Sequence, residues 1–331
     1  MMTTTNTHRP IMVAVGGDSG SGKTTLVRGL YRIFGAERIT NLCLDDYHKL
    51  DRAERKRLGM TALNPRANDI ELMEVQVAAL ARGETIAKPT YDHATGTFGP
   101  PEEVAPREIV VIRGLFPLLT ASLRRAFDLR VWLHPQEELK WAWKVKRDCA
   151  ERGYSVPEVI RQIVDRLDDH ERHLVPQRAH ADLLVQFYPP ERYFGPGTAV
   201  DHDAHLHVRL RLGPGLPSID LRDLLASPAG GDPPPIRLAP EADINGGSIL
   251  EIDGTVSPTR ALELDERIWS HMETHRHLRP EEIGGYLDGS VERRSDPLAL
   301  TQLLIAYHLV QARLQRGLTF RPRAASAATV G

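Results

Sequence analysis

Residues 17–25, Gly-Asp-Ser-Gly-Ser-Gly-Lys-Thr-Thr, carry the strongest chemical signal in the chain. Gly17 to Thr24 fits G-x-x-x-x-G-K-[ST]. In that pattern the glycines let backbone N–H groups turn inward around phosphate oxygens, the lysine adds a positive charge at the β- and γ-phosphates, and the last hydroxyl can face Mg²⁺. The ATP-binding residues are thus Gly17, Asp18, Ser19, Gly20, Ser21, Gly22, Lys23, Thr24 and Thr25, with Lys23 acting in catalysis and Thr24 toward the metal. A Gly-rich turn can match this pattern by chance. Here, however, the apolar run "IMVAVG" (11–16) precedes it and the helical pattern "TTLVRGLYRIFG" (24–35) follows. That context is the one phosphate binding needs, because the helix N-terminus adds its positive end. The expected ligands are ATP and Mg²⁺.

Three further sets could complete a phosphoryl transfer. Asp45 and Asp46 close the strand-like run "RITNLCLDD" (38–46), where a carboxylate can take the proton of an acceptor hydroxyl. The alternative is a helix N-cap, which suits Asp46 better than Asp45. Tyr91, Asp92 and His93 open "KPTYDHATGTFGPP" (88–101), which reads as a long Gly- and Pro-rich connection, either functional or merely solvated. Lys140, Lys144 and Arg147 fall at i, i+4 and i+7 on one face of a helix expected over 136–153, with Arg152 at its end. Such a row is ordinarily a solvated face. A kinase that holds both ATP and a phosphorylated acceptor must neutralise two anion clusters, though, and the planar fork of Arg grips phosphate bidentately.

The elements that must position these residues alternate. Apolar, strand-length runs at 11–16, 38–46, 108–114, 127–134 and 181–188 are separated by helical patterns at 24–35, 69–83 and 136–153. Strands apolar on both faces and joined through helices predict an α/β fold, a doubly wound and mostly parallel sheet of the P-loop kinase type. Beyond residue 200 the pattern changes. "HLHVRLRLG" (205–213) alternates like an antiparallel strand, 213–237 is Pro- and Gly-rich like a surface loop, and "SILEIDG" (248–254) is one more strand. Terminal helices are expected near 258–274, 280–288 and 297–315. The organisation predicted is a kinase core over 1–200 and an extension of the same sheet over 201–331, with a disordered tail after about residue 320.

Composition sets the outer bounds. The 331 residues are 41% apolar and 26% charged, with a net charge of −2. This is the profile of an ordinary globular protein, with no basic field that would suit nucleic acid. No window approaches eighteen apolar residues, so no membrane span is expected, and the polar start lacks a leader's apolar core. Two cysteines, Cys43 and Cys149, argue against a disulfide framework and for the cytoplasm.

Taken together, "GDSGSGKTT", "CLDDYHKLDR", "GMTALNPRANDIELM", "KPTYDHATG", "KWAWKVKRDCAERGYS" and "LVPQRAHADLLVQFYP" resemble the phosphoribulokinase family, and its plant and cyanobacterial branch more than the proteobacterial one. The resemblance implies ATP-dependent phosphorylation of ribulose 5-phosphate to ribulose 1,5-bisphosphate, and a homodimer. It makes Asp45 the base for the 1-hydroxyl. Arg52 and His93 become contacts to the sugar phosphate, with Tyr91 nearby. Lys144, Arg147 and Arg152 become ligands for the phosphates of both substrates, and Asp148 a support for catalysis. Lys23 and Thr24 serve ATP and magnesium.

Two departures stand out. The family reads I-E-G-L-H-P where this chain reads Ile-Arg-Gly-Leu-Phe-Pro, so Arg113 replaces an acid that helps to hold magnesium and Phe116 replaces a histidine. Arg cannot coordinate a cation; the expectation is that Arg113 pairs with a neighbouring carboxylate, leaving the metal site half built and turnover low. Ser21 stands where redox-regulated members carry a cysteine, which excludes thiol switching in the loop. Two other readings stay open: a kinase of another small alcohol such as uridine, or a nucleotide-binding regulator impaired in catalysis.

Overall fold

The computed structural model describes residues 9–190, 205–221, 236–240, 247–288 and 291–321. In chain order its first half runs β1 (Ile11–Gly17), α1 (Lys23–Phe34), β2 (Ile39–Cys43), α2 (Arg52–Arg57), α3 (Ile70–Ala81), β3 (Ile86–Asp92), β4 (Thr97–Val104) and β5 (Ile109–Gly114). Then follow α4 (Ala121–Ala126), β6 (Leu129–Leu133), α5 (Glu137–Arg152), α6 (Val156–Val164), the single turn α7 (Leu167–Asp169) and β7 (Leu183–Tyr188). The remainder holds β8 (His207–Leu212), β9 (Ile236–Pro240), β10 (Ser248–Ile252), α8 (Pro258–Ser270), β11 (Gly285–Asp288), β12 (Val291–Arg294) and α9 (Asp296–Leu314).

Eight strands form one sheet in the order β2-β5-β1-β6-β7-β8-β10-β9. The pairs β2–β5, β5–β1, β1–β6 and β6–β7 are parallel, and β7–β8, β8–β10 and β10–β9 are antiparallel. The fold is therefore the α/β doubly wound sheet with antiparallel later strands that the sequence pattern predicts. All seven residues of β1 are buried, as a strand covered on both faces must be. Their side chains alternate between two cores. Val13 and Val15 pack with Leu26, Leu30 and Leu303 of α1 and α9, whereas Met12 and Ala14 pack with Met73 and Val77 of α3. The chain leaves β1 towards β2 on one side and passes from β5 to β6 across it, so the carboxyl end of β1 lies where the crossovers diverge, the place such sheets bind ligands.

α9 buries fourteen of its nineteen residues, which explains why its sequence is apolar all round. It lies against α1, α8 and the sheet. Its Gln302 Nε2 donates to the Thr25 carbonyl at 3.2 Å, and its Oε1 accepts from the Gly284 N–H at 2.9 Å. Gly29 makes this approach possible, since a Cβ there would stand 2.0 Å from Gln302 Cδ. The C-terminal helix thereby fixes the helix that follows the phosphate loop.

Two expectations are corrected. The segment 280–288 is not a helix: Gly285–Asp288 pairs antiparallel with Val291–Arg294. Gly284, at φ +83°, breaks the helical path, and a second glycine follows it. The connection 88–101 is not a loop but the greater part of a hairpin, β3 with β4, outside the main sheet. Seven of the eight residues of β4 are exposed, so no apolar alternation marks it as a strand. The Pro- and Gly-rich stretch lies largely outside the described residues, as do residues 322–331 of the tail.

Candidate active site

The phosphate loop spans the turn from β1 to α1. Gly20 (φ +84°) and Gly22 (φ +91°) hold left-handed conformations that other residues reach only at a cost of about 1–2 kcal/mol. Gly20 also allows close packing, since a Cβ there would lie 3.2 Å from Lys144 Cβ on α5. No side chain caps α1 and no acid lies in its first turn, so its N-terminal N–H groups are left for an anion.

Lys23 is 8% exposed, and its Nζ donates to the carbonyls of Gly17 (2.8 Å) and Asp18 (2.7 Å). Burial holds its ammonium below the ordinary lysine range, against the opposing pull of Asp45 and Asp18. Asp18 faces Lys140 Nζ at 3.1 Å and His170 Nε2 at 3.6 Å. Burial would raise its carboxyl, but Lys140 and His170 outweigh burial and hold it low. Ser19 Oγ accepts from Arg147 Nη2 at 3.0 Å. Ser21 is buried, with no hydrogen-bond partner for its hydroxyl among the described residues. Thr24 is exposed, and the Thr25 carbonyl is taken by Gln302.

β2 ends in a 3-10 turn, Leu44–Asp46, and the two aspartates part ways there. Asp46 Oδ2 accepts from Lys88 Nζ of β3 at 2.7 Å. Asp45 Oδ1 is buried and has no partner among the described residues. Neither caps a helix; Asp51 caps α2 in a capping box with Glu54. Gly114 makes room for Asp45, since a Cβ there would lie 2.8 Å from Leu44 Cβ and 3.3 Å from Asp45 Oδ1. The paired aspartate is spent on the hairpin, and the unpaired one remains available.

Arg113 stands at the end of β5, in register with Val15 on one side and Cys43 on the other. The expected pairing with a carboxylate does not occur among the described residues, and its Nε is buried without a partner. Asp46 is already engaged by Lys88. Phe116 is plain core. The half-buried Cys43 thiol is pushed up to about 12 by burial and by Asp45. Cys149 is half-buried on α5.

Beside the turn that ends β2 stands the β3–β4 hairpin. Arg52 Nη2 donates to the His93 carbonyl (2.5 Å), its Nη1 to the Ala94 carbonyl (3.2 Å) and its backbone N–H to the Gly96 carbonyl (2.9 Å). Arg52 thus secures the turn that presents His93. Tyr91 is buried, accepts from Arg55 Nη2 at 2.8 Å, and packs edge-on against His48 (4.5 Å) and His93 (5.1 Å). His93 stands at the rim. Partial burial lowers its pKa, Asp45 and Asp46 oppose that shift, and Arg152 and Arg52 add to it, which places it among the charges of both sides.

The basic row of α5 is not a solvated face. Lys140 and Lys144 are each 5% exposed. Asp148, fully buried, gathers the row: its Oδ2 accepts from Lys144 Nζ at 2.5 Å, its Oδ1 from Arg147 Nη2 at 2.7 Å, and Arg152 Nη1 lies 3.3 Å away. Burial alone would raise this carboxyl, but Lys144 and Arg147 overcome burial and keep it below the usual range. Arg166 and His170 join Lys140, Lys144 and Asp18 in lining a cleft beside the loop. Sequence reasoning missed both, and missed His48. Arg166 and His170 sit in "DRLDDHERH", where charges of both signs follow each other without spacing that singles one out.

Among the described residues no group of three or more His, Cys, Asp or Glu is gathered to hold a metal ion. Thr24 and Asp45 offer oxygens, but Arg113 carries positive charge at the same strand ends. These residues do not build a protein-held magnesium site.

A phosphate loop between a parallel strand and its helix, a strand-end carboxylate without a partner among the described residues and a buried row of cations together define the class of P-loop phosphotransferases. The profile of the "Phosphoribulokinase / Uridine kinase family" matches residues 12–192, and the chain belongs to that family. It is 45% identical over 186 residues to a phosphoribulokinase of Synechocystis, covering 56% of each chain. It is 39% identical over 198 residues to the chloroplastic phosphoribulokinase of Mesembryanthemum crystallinum, covering 55% of this chain and 50% of that one. The chain thus spans about half the length of these relatives. The solved phosphoribulokinase of Rhodobacter spheroides shares the fold at a TM-score of 0.57 and 20% identity, covering 81% of this chain and 98% of that one.

Proposed function

We propose that the protein transfers the γ-phosphoryl group of ATP to the 1-hydroxyl of ribulose 5-phosphate, giving ribulose 1,5-bisphosphate. The observation that carries this reading is the Asp45 carboxylate, without a partner among the described residues and close enough to act both on Lys23 of the loop and on His93 of the hairpin turn. The loop, with the α5 cations packed on it, suits the nucleotide, and the hairpin side, where His93 stands among the charges of Arg52 and Arg152, suits a phosphorylated acceptor. A nucleoside acceptor carries no anion that needs the second cluster, which weighs against a uridine kinase reading. The Synechocystis relative supports the choice.

In this reading Asp45 accepts the proton of the acceptor hydroxyl as its oxygen bonds to the γ-phosphorus. The bond from that phosphorus to the β–γ bridging oxygen breaks, and ADP leaves with the electron pair. Lys23 stabilises the phosphates. Lys144, Arg147 and Arg152 hold phosphate oxygens, and His93, on the turn that Arg52 secures, closes the sugar-phosphate end with Tyr91 as its wall. Asp148 has no free oxygen and serves as a positioning residue that keeps its cations in place. ATP binds the residues Gly17–Thr25. Magnesium would be carried by the nucleotide's own phosphates, with the exposed Thr24 hydroxyl as the one oxygen the loop would add.

The test is ADP release with ribulose 5-phosphate, with uridine and with no acceptor, beside direct ATP binding. Turnover specific to ribulose 5-phosphate is expected. Turnover with uridine alone would transfer the reading to a nucleoside kinase, and ATP binding without any acceptor-dependent turnover would favour a regulator that has lost catalysis. The same reading includes a cytoplasmic homodimer, the kinase core over 1–200 and its extension over 201–331. No described helix is long and apolar enough to cross a membrane. Light scattering on the purified chain measures the assembly.

A further inference from the structure

We infer that Arg113 is a phosphate-binding residue which, with Lys23, neutralises the transferred phosphoryl group where no protein-held metal is built. This rests on the reading of the site as a nucleotide-dependent kinase. Three observations carry it. Arg113 is in register with Val15 and so shares that residue's face of the sheet, the face covered by α1 and its first residue, Lys23. Among the described residues its buried Nε–H has no acceptor and no carboxylate pairs with its guanidinium. Its charge acts on both Lys23 and Cys43.

A half-buried guanidinium beside a buried ammonium is unfavourable unless something anionic joins them, because each is desolvated and each repels the other. The local acids meet this need for Lys23, on which Asp45 and Asp18 pull, but not for Arg113. Asp46 is bound to Lys88, and Asp45 leaves Arg113 Nε without an acceptor. A phosphate between Lys23 and Arg113 satisfies both, with Lys23 as a point charge and Arg113 as a planar fork that can hold two oxygens. The half-buried guanidinium finds in the phosphate the acceptor that no described side chain gives it, and the half-buried Asp45 carboxylate takes the hydroxyl proton. Arg113 forms no covalent bond in the transfer; it holds oxygens whose charge redistributes as the phosphoryl group moves.

The experiment is calorimetric titration of ATP and ADP into wild type, Arg113→Gln and Arg113→Lys, in EDTA and again in magnesium, beside turnover with ribulose 5-phosphate. Wild type is expected to bind ATP without metal. Arg113→Gln should lose about 10- to 100-fold of that metal-free affinity, the weight of one or two charge-assisted hydrogen bonds, with a smaller loss in magnesium. Arg113→Lys should recover part of it. A melting curve separates misfolding from lost binding, and the wild-type preference for ATP over ADP in EDTA needs no variant. If Arg113→Gln binds metal-free ATP as wild type does, or wild type shows no metal-free binding, the inference falls. If wild type ignores ribulose 5-phosphate while the Arg113 dependence of ATP binding holds, only the acceptor assignment falls.

Discussion

Replacing Asp148 by Asn keeps the shape of the side chain and removes its charge from beneath three cations. Asp148 is fully buried, and the side chains of its partners are 7% (Lys144), 27% (Arg147) and 40% (Arg152) exposed. Removing one partner of a buried ion pair costs about 3–5 kcal/mol because the other charge is left uncompensated. Arg152, open to water, contributes little to this, so the expected loss of unfolding free energy is near the lower end, about 3 kcal/mol. The sign with pH follows from the folded carboxyl lying below its unfolded value. The stability it supplies is fully present above about pH 4 and is lost as pH falls through the folded value. Urea unfolding should therefore show a gap between wild type and Asp148→Asn that is constant from pH 5 to 8 and narrows below pH 4. Inorganic phosphate should narrow the gap at pH 7, because the freed cations bind it. The KM for ribulose 5-phosphate should rise more than kcat falls, as fits a residue that acts through its cations. A gap within about 0.5 kcal/mol, the range of ordinary surface substitutions, would show that the cations do not depend on Asp148.

Asp45→Asn should keep ATP binding and lose about 10²–10⁴ of acceptor-dependent turnover, the weight of a general base; undiminished turnover would remove Asp45 from that role. Dithiothreitol or reduced thioredoxin should not activate the protein, because Ser21 occupies the loop and the Cys43 thiol is pushed up to about 12; a several-fold gain in ADP release on reduction would contradict this. Buried His308, with neither ring nitrogen partnered among the described residues, has its pKa lowered from 6.5 to about 4. Its contribution is present above pH 6.5 and lost as pH falls towards 4, about 2.5 units at 1.36 kcal/mol each, or about 3 kcal/mol. His308→Leu should flatten the stability curve over that window, and an unchanged slope in urea titrations would show that the histidine is solvated.

The sequence alone determined the parallel strands, the phosphate loop and the family, because each is written in neighbouring residues. An apolar run of strand length, a glycine at a left-handed turn and a lysine at the head of a helix need no distant partner to be read. It also marked Asp45, Asp46 and the α5 row as chemical candidates, but it could not rank them. Only the tertiary structure spent Asp46 on Lys88 and left Asp45 free, since that choice depends on a hairpin forty residues away whose exposed strand has no apolar signature. Packing, likewise, turned a basic row into a buried cluster around Asp148 and brought Arg166 and His170 to the loop. The pairing expected of Arg113 failed for the same reason. Local sequence names a charge, but whether a counter-charge reaches it is decided by which strands end side by side and what their side chains have already bound.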